Sequence, residues 1–300
     1  MGLPAYLQEI RKAAESNGLR FLLMHKVEAS RKTISNPQVY VACFRGDTPW
    51  IRGKKVTDLR NLSELPDMSQ IAEGQHAAWG EPMEENELLL LQCLDQPYDV
   101  CCPKFGQRIA KDCGNKPGII CYGSSHIGGH DKAGTAIVIR NGIAICLGRM
   151  GFYPNNSNEY VFDSARGVAL VEKCQNGIID PAHYRGRLGW PAEAQAGELQ
   201  ARQDFDNWDM NATRFVKCHF QGDNRAEVHL EVAGQPWRCM VTTRPSDKPY
   251  LVACSGEIEH FTQFEVTRIS PAARESEPRL PRPRVGVEPT EVPRGAASRG

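Results

Sequence analysis

Residues 87–130 read ELLLLQCLDQPYDVCCPKFGQRIAKDCGNKPGIICYGSSHIGGH, and this stretch decides the fold. Residues 88–91 are a continuous apolar run, as expected of a strand covered on both faces. Residues 94–100, with Pro97 among them, predict a loop. Pro103 suits the first turn of a helix, where its missing N–H costs nothing. Phe105 and Ile109 then share one helical face. Gly114 ends the helix, and Pro117-Gly118 turns the chain into a strand over 119–122. Strand, loop, helix and strand in a parallel sheet form a right-handed crossover. The loop after the first strand of such a unit is where ligands usually sit.

Downstream, residues 134–139 and 143–147 predict a hairpin around Asn141-Gly142, the strongest short hairpin signal. Residues 159–174 predict an amphipathic helix closed by Asn176-Gly177. The order β-α-β-β-β-α predicts an α/β domain of thioredoxin-like kind. Upstream, Leu7, Ile10 and Ala14 predict a helix over 4–17, stopped by Asn17-Gly18. Residues 20–25 and 38–44 read as strands, and 52–86 as polar connection with a helix near 67–78. Pro191 opens another helix. Residues 214–221, 225–233, 236–243, 249–254 and 261–268 then alternate or run apolar like strands. The expected organisation is four parts. Residues 1–85 join the core, 86–205 hold the core with its following helices, 206–270 form a small β-rich C-terminal part, and 271–300 are a tail. The tail is dominated by Pro, Arg, Glu, Gly and Ala, has no aromatic residue, and is expected to be disordered.

The 36 basic and 36 acidic side chains cancel. No global field favours a nucleic acid or an anionic membrane, and neither is expected as a partner. No apolar run approaches the roughly 18 residues of a spanning helix, and the start lacks the apolar core of an export signal. Eleven cysteines, an odd number, then point to a reducing, cytoplasmic setting rather than a disulfide framework. Cys43, Cys146, Cys218, Cys239 and Cys254 sit in apolar or alternating stretches, where a packed thiol is the ordinary occupant.

Cys93 and Cys102 are different. Eight residues separate them in a loop that can fold back on itself, and Cys102 stands beside a helix N-terminus, which favours a thiolate. His126 and His130 flank two glycines that let the backbone wrap, so both imidazoles can reach one ion. His25, His76, His183, His219, His229 and His260 have no patterned partner and read as ordinary core or capping residues. Thiolates with imidazoles suit zinc or an iron–sulfur centre. The gap between the cysteines is long for a zinc finger, while the histidine spacing would fit zinc. Two thiolates and two imidazoles are also the ligand set of a Rieske 2Fe–2S centre. Spacing leans toward iron–sulfur and leaves zinc open.

Several residues in this region carry a resemblance. Cys93, Asp99, Cys101-Cys102, Lys104-Phe105-Gly106, Ser125-His126-Ile127-Gly128-Gly129-His130, Ala133-Gly134 and Gly148-Arg149 occur in that order. Tyr184-Arg185-Gly186 and Gln195-Ala196-Gly197-Glu198 follow. The sequence resembles the sucrase/ferredoxin-like proteins, thioredoxin-like 2Fe–2S ferredoxins of the bis-histidine type, over roughly residues 39–254. The resemblance implies a 2Fe–2S cluster held by Cys93, Cys102, His126 and His130. Cys101 is an alternative to its neighbour Cys102. Two positions depart from the family pattern: Leu94-Asp95-Gln96 replaces a His-Gly, and Tyr98 replaces an arginine.

The leading expectation is a soluble electron-transfer or redox-sensing protein, more a carrier than a catalyst, which works with a redox partner protein or reductase. A structural zinc protein without redox activity is the alternative. A thiol oxidoreductase using Cys101 or Cys102 comes third, since there is no Cys-x-x-Cys at the helix start. Oligomeric state is open.

Overall fold

The computed structural model describes residues 3–27, 37–46, 48–61, 64–75, 79–95, 100–128, 134–155, 157, 159–251 and 258–269. Helix α1 (Ala5–Ser16) leads to a short strand, β1 (Met24–His25). Strands β2 (Gln38–Cys43) and β3 (Trp50–Lys55) pair, helix α2 (Met68–Ala72) follows, and β4 (Glu81–Pro82) completes a three-stranded antiparallel sheet. Then come β5 (Leu88–Cys93), α3 (Cys101–Gly114), β6 (Ile119–Ser124), β7 (Ala136–Arg140) and β8 (Ile143–Leu147). A hairpin of β9 (Phe152–Pro154) and β10 (Tyr160–Phe162) precedes α4 (Ser164–Gln175), β11 (Tyr184–Arg187) and α5 (Ala192–Phe205). The C-terminal elements are β12 (Thr213–Phe220), β13 (Arg225–Val232), β14 (Gln235–Pro245), β15 (Tyr250–Leu251), β16 (Ile258–Glu259) and β17 (Thr262–Arg268).

The protein is mixed α/β with several sheets. The central one has six strands in the order β1-β6-β5-β7-β8-β11. β5 and β6 are parallel, joined through α3, and β7, β8 and β11 continue antiparallel from β5. All six residues of β5 are buried, as its unbroken apolar run demands. Its alternate residues face two cores. Leu88 and Leu90 pack with Ile109 and Cys113 of α3 and with Val168 and Val171 of α4. Leu89, Leu91 and Cys93 face the other way, into a core shared with Ile51, Tyr40 and Ala42 of the small sheet. The N-terminal strands therefore roof one face of the central sheet and the helices cover the other.

Several expected elements shift at their ends. The strand expected over 20–25 is confined to Met24–His25. The helix expected from 159 starts at Ser164, because Asp163 caps it by accepting the Ala165 N–H at 2.9 Å; the residues before become β10. The polar stretch 52–86 holds β4 and most of β3, which only cross-strand pairing reveals. Asn141-Gly142 turns β7 into β8 with φ of 49° and 74°, the positive values such a tight hairpin needs.

The C-terminal part is a four-stranded antiparallel sheet, β12-β13-β14-β17. Val228, Leu230, Trp237, Cys239 and Val241 line its buried face with Ala194 and Ala201 of α5. So α5 belongs by its packing with this sheet. Residues up to Ile269 form one compact unit. The tail 271–300 lies outside the described residues.

Candidate metal centre

Three of the four expected ligands fall at one end of the central sheet. Cys93 is the last residue of β5 and stands in register with Ser124, the last residue of β6. His126 follows two positions later, and Cys102 is the second residue of α3. This is the carboxyl end of the parallel pair, where the chain leaves the sheet and ligands collect. His130 falls within 129–133, outside the described residues, as do Gln96, Pro97, Tyr98 and Asp99. Among the described residues, no group of three or more His, Cys, Asp and Glu side chains stands close enough to hold a metal ion.

Cys93 and Cys102 meet directly. The Sγ of Cys93 accepts a hydrogen bond from the Cys102 thiol, and backbone N–H groups of Asp95 and Ile127 also donate to it. The bond from Cys102 is the largest influence on the Cys93 thiol. With the two N–H groups it outweighs burial and the Asp95 carboxylate, and lowers the pKa to about 7 from an ordinary 9.0. Hydrogen bonds to the ionised form favour it. Burial pushes other thiols the opposite way: Cys146 to about 11, and Cys121, Cys174 and Cys239 to about 12. Cys93 is 2% exposed and Cys102 8%, and both belong to the core under the small sheet, with Ile127 beside them. Cys101 is half-buried.

A glycine lets α3 approach this closely. A Cβ placed on Gly106 would lie 2.8 Å from the Cys93 carbonyl oxygen and 2.9 Å from Gln92 Nε2. Ordinary side chains do not tolerate such distances, so Gly106, one turn beyond Cys102, allows the helix start to press against the end of β5. Buried Gln92 donates to the Thr135 carbonyl at 3.0 Å, and the Cys93 N–H donates to the same oxygen at 3.0 Å.

The His126 loop is fastened from two sides. Asp95 Oδ2 accepts the His126 N–H at 2.8 Å, and Leu94 N–H donates to the Ser124 carbonyl at 2.9 Å. Asp95 thus acts twice, its N–H on the Cys93 sulfur and its carboxylate on the backbone of His126. From the N-terminal side, Ser125 and Leu23 exchange bonds of 2.8 and 3.1 Å, and Arg20 Nη2 donates to the His126 carbonyl at 3.3 Å. The sequence reading assigned none of these roles to Asp95, Gly106 or Arg20. Asp95 stands where the family pattern has a different residue, so the resemblance does not point to it.

Three of the other described histidines make ordinary local contacts. His229 contacts Glu227 at 2.8 Å, His183 contacts the Gly148 carbonyl at 3.1 Å, and His260 contacts the Ser246 carbonyl at 2.8 Å. His76 lies outside the described residues, as does Cys254.

A second polar cluster was also missed. Glu198 and Arg202 of α5 are fully buried and bonded at 2.9 Å. Tyr184 of β11 donates to Glu198 Oε2 at 2.5 Å, Thr213 donates to Oε1 at 2.5 Å, and Arg187 Nε lies 3.6 Å from Oε1. Arg202 also donates to the Asp209 carbonyl at 2.7 Å, and Arg187 to the Met210 carbonyl at 2.5 Å. The cluster ties the edge of the central sheet to the C-terminal sheet. Its sequence signal was the i,i+4 pair of Glu198 and Arg202.

Among the described residues, no helix is long and apolar enough to cross a membrane. Comparison of the chain with protein-family models, with curated proteins and with solved structures gives no match.

Proposed function

We propose that this protein is an electron-transfer or redox-sensing protein of sucrase/ferredoxin-like kind, whose 2Fe–2S cluster is held by Cys93, Cys102, His126 and His130. The observation that carries the reading is the Cys93–Cys102 pair. Two sulfurs nine positions apart are hydrogen-bonded, and Cys93 is stabilised in its thiolate form, the form that binds metal. Backbone N–H donors to a ligand sulfur are also the kind of outer partner that orients ligands and tunes potential. The donor set therefore fits the group. The strand order supports a thioredoxin-like core: β6, β5, β7 and β8 run second, first, third and fourth, with the first two parallel.

When bound, such a cluster supplies one-electron redox chemistry. The chain's own residues hold it and shield it. Cys93 and Cys102 bind through sulfur, Asp95 fixes the His126 backbone, and Ile127 with Leu91 keeps water from the sulfur side. Neutral imidazole ligands should set a higher potential than four thiolates would.

Zinc remains the second reading, because the same two sulfurs and two imidazoles suit it. A thiol oxidoreductase using Cys101 or Cys102 is the third reading: Cys102 is only 8% exposed, so half-buried Cys101 is the sulfur an exchange partner would have to reach.

The test is the visible spectrum of anaerobically purified protein, with iron, sulfide and zinc assayed on the same sample. The reading expects bands bleached by dithionite and about two irons and two sulfides per chain. A colourless protein with stoichiometric zinc would replace it with the structural-site reading.

A further inference from the structure

The outer face of α3 carries a row of basic residues, the first of which, Lys104, lies over the Phe105 ring at 5.2 Å from its centroid. Ile109, Ala110 and Cys113 face the core, while Lys104, Gln107, Arg108 and Lys111 form an exposed stripe on the opposite side. The stripe begins at Val100, which is 62% exposed, immediately before the half-buried Cys101. With Pro103 these residues line a shallow depression of about 380 Å³. Among the described residues Lys104, Arg108 and Lys111 make no ion pair, whereas nearby Lys116 is held by Glu172 at 2.7 Å and Lys173 by Asp180 at 2.9 Å. Asp112 is the single acidic residue of α3 and sits in its last turn.

Three cations on one stripe with no ion pair among the described residues are notable in a chain whose charges cancel overall. Repulsion among them costs stability, and a partner could relieve it. Their position is also specific. The stripe starts in the helical turn that holds Cys101 and Cys102, at the end of the sheet where Cys93 lies, while Cys102 itself is on the buried side of the helix with Ile109 and Cys113. An exposed aliphatic residue at the head of a row of cations matches a partner whose redox group is bordered by carboxylates: the charges steer the encounter and the small apolar contact dries.

We propose that the Val100–Lys104–Arg108–Lys111 face of α3 is the docking site for an acidic electron-transfer protein. This rests on the functional reading above. In the complex one electron leaves the partner's reduced cofactor and is taken up by the oxidised centre, and no covalent bond changes.

The experiment uses the full chain with a reduced, acidic flavodoxin as probe. Stopped-flow traces follow bleaching of the visible bands between 20 and 300 mM salt, and a basic c-type cytochrome oxidising the reduced protein is the control. The wild-type rate with flavodoxin should fall as salt rises. Lys104→Glu with Arg108→Glu and Lys111→Glu should lower the low-salt rate at least about 10-fold and accelerate the cytochrome reaction. The neutral set, Lys104→Gln with Arg108→Gln and Lys111→Gln, should fall between them. Extent of dithionite reduction and circular dichroism check that each variant is folded and loaded. In parallel, carbodiimide cross-linking to flavodoxin, mapped by mass spectrometry, should join Lys104 and Lys111 to probe carboxylates. Equal rates in all three proteins, or cross-links confined to lysines elsewhere, would overturn the docking site while leaving electron transfer standing. Cross-links at Lys104 and Lys111 on a colourless protein would keep the docking face and discard the redox role.

Discussion

The Cys102 thiol donates a hydrogen bond to the Sγ of Cys93, joining the first turn of α3 to the last residue of β5. Gly106 permits it, Asp95 and Ile127 complete the donors around the sulfur, and the His126 loop is fastened beside it.

The contact distinguishes the two adjacent cysteines. Cys102 is buried against Cys93, while Cys101 is only half-buried. On the proposed cluster, Cys93→Ser and Cys102→Ser should each abolish iron binding and visible absorption, whereas Cys101→Ser should keep both. Iron and sulfide per chain in the three variants decide it. Retention in Cys102→Ser with loss in Cys101→Ser would assign the second ligand to Cys101.

The metal-free protein should show the Cys93 shift as pH-dependent stability. The folded pKa, about 7, lies below that of a free thiol, so the folded state favours the thiolate. That contribution is absent below about pH 7, grows as pH rises, and is complete above the unfolded thiol's pKa near 8.5. Between pH 6 and 8 it amounts to about 1 kcal/mol. Urea unfolding of metal-free wild type and Cys93→Ser across this range should give a stability difference that moves in favour of wild type by that amount. Parallel curves would mean that the thiol does not ionise near neutrality. Staying below pH 8 keeps the raised thiols, such as Cys121 and Cys174, from contributing their opposite slope.

Gly106→Ala tests the close approach of helix and strand. The added methyl group meets backbone and a buried amide rather than the free end of a flexible chain, so α3 must shift. We expect about 1–3 kcal/mol of destabilisation, the usual cost of overpacking, and a further loss of iron retained on dilution. A variant as stable as wild type would show that the start of α3 has room to move.

The parts legible in the sequence were those with local causes. The apolar run of β5, the Asn141-Gly142 turn and the alternating strands after residue 213 each encode their structure within a few residues. β3 and β11 were hidden because WIRGKK and YRGR become strands only through partners: β3 lies against β2, and β11 against β8 with a register shift between Tyr184 and Gly186. The same division holds at the site. Cys93, Cys102 and His126, all three at one end of the central sheet, were picked out by residue type and spacing. Asp95 was not, because its role is one side-chain bond to a backbone N–H 31 positions away, and nothing in the sequence around it signals that.

Asp95→Ala would measure that bond. It removes the acceptor for the His126 N–H and should cost about 1–2 kcal/mol, with the effect concentrated on the loop. Hydrogen exchange at residues 123–128 should accelerate more than exchange in α4. If both regions change equally, Asp95 supports the whole fold rather than the His126 loop.

The Glu198 cluster predicts a large effect away from Cys93 and Cys102. Glu198 accepts from Tyr184, Arg202 and Thr213 and lies 3.6 Å from Arg187 Nε. Replacing it by alanine leaves two buried guanidinium groups without their carboxylate, a change that typically costs about 3–5 kcal/mol. Glu198→Gln keeps the shape and an acceptor oxygen but loses the charge, so it should fall between alanine and wild type. Both losses should appear in thermal unfolding of the metal-free protein, since no ligand is involved. Because the cluster joins β11 to α5 and the chain leading into β12, the variants should also loosen the C-terminal sheet from the central one. Limited proteolysis between residues 205 and 213 should then quicken before β5 or α3 is attacked. Unchanged proteolysis alongside a lowered melting temperature would mean that the cluster stabilises α5 locally and does not hold the two sheets together.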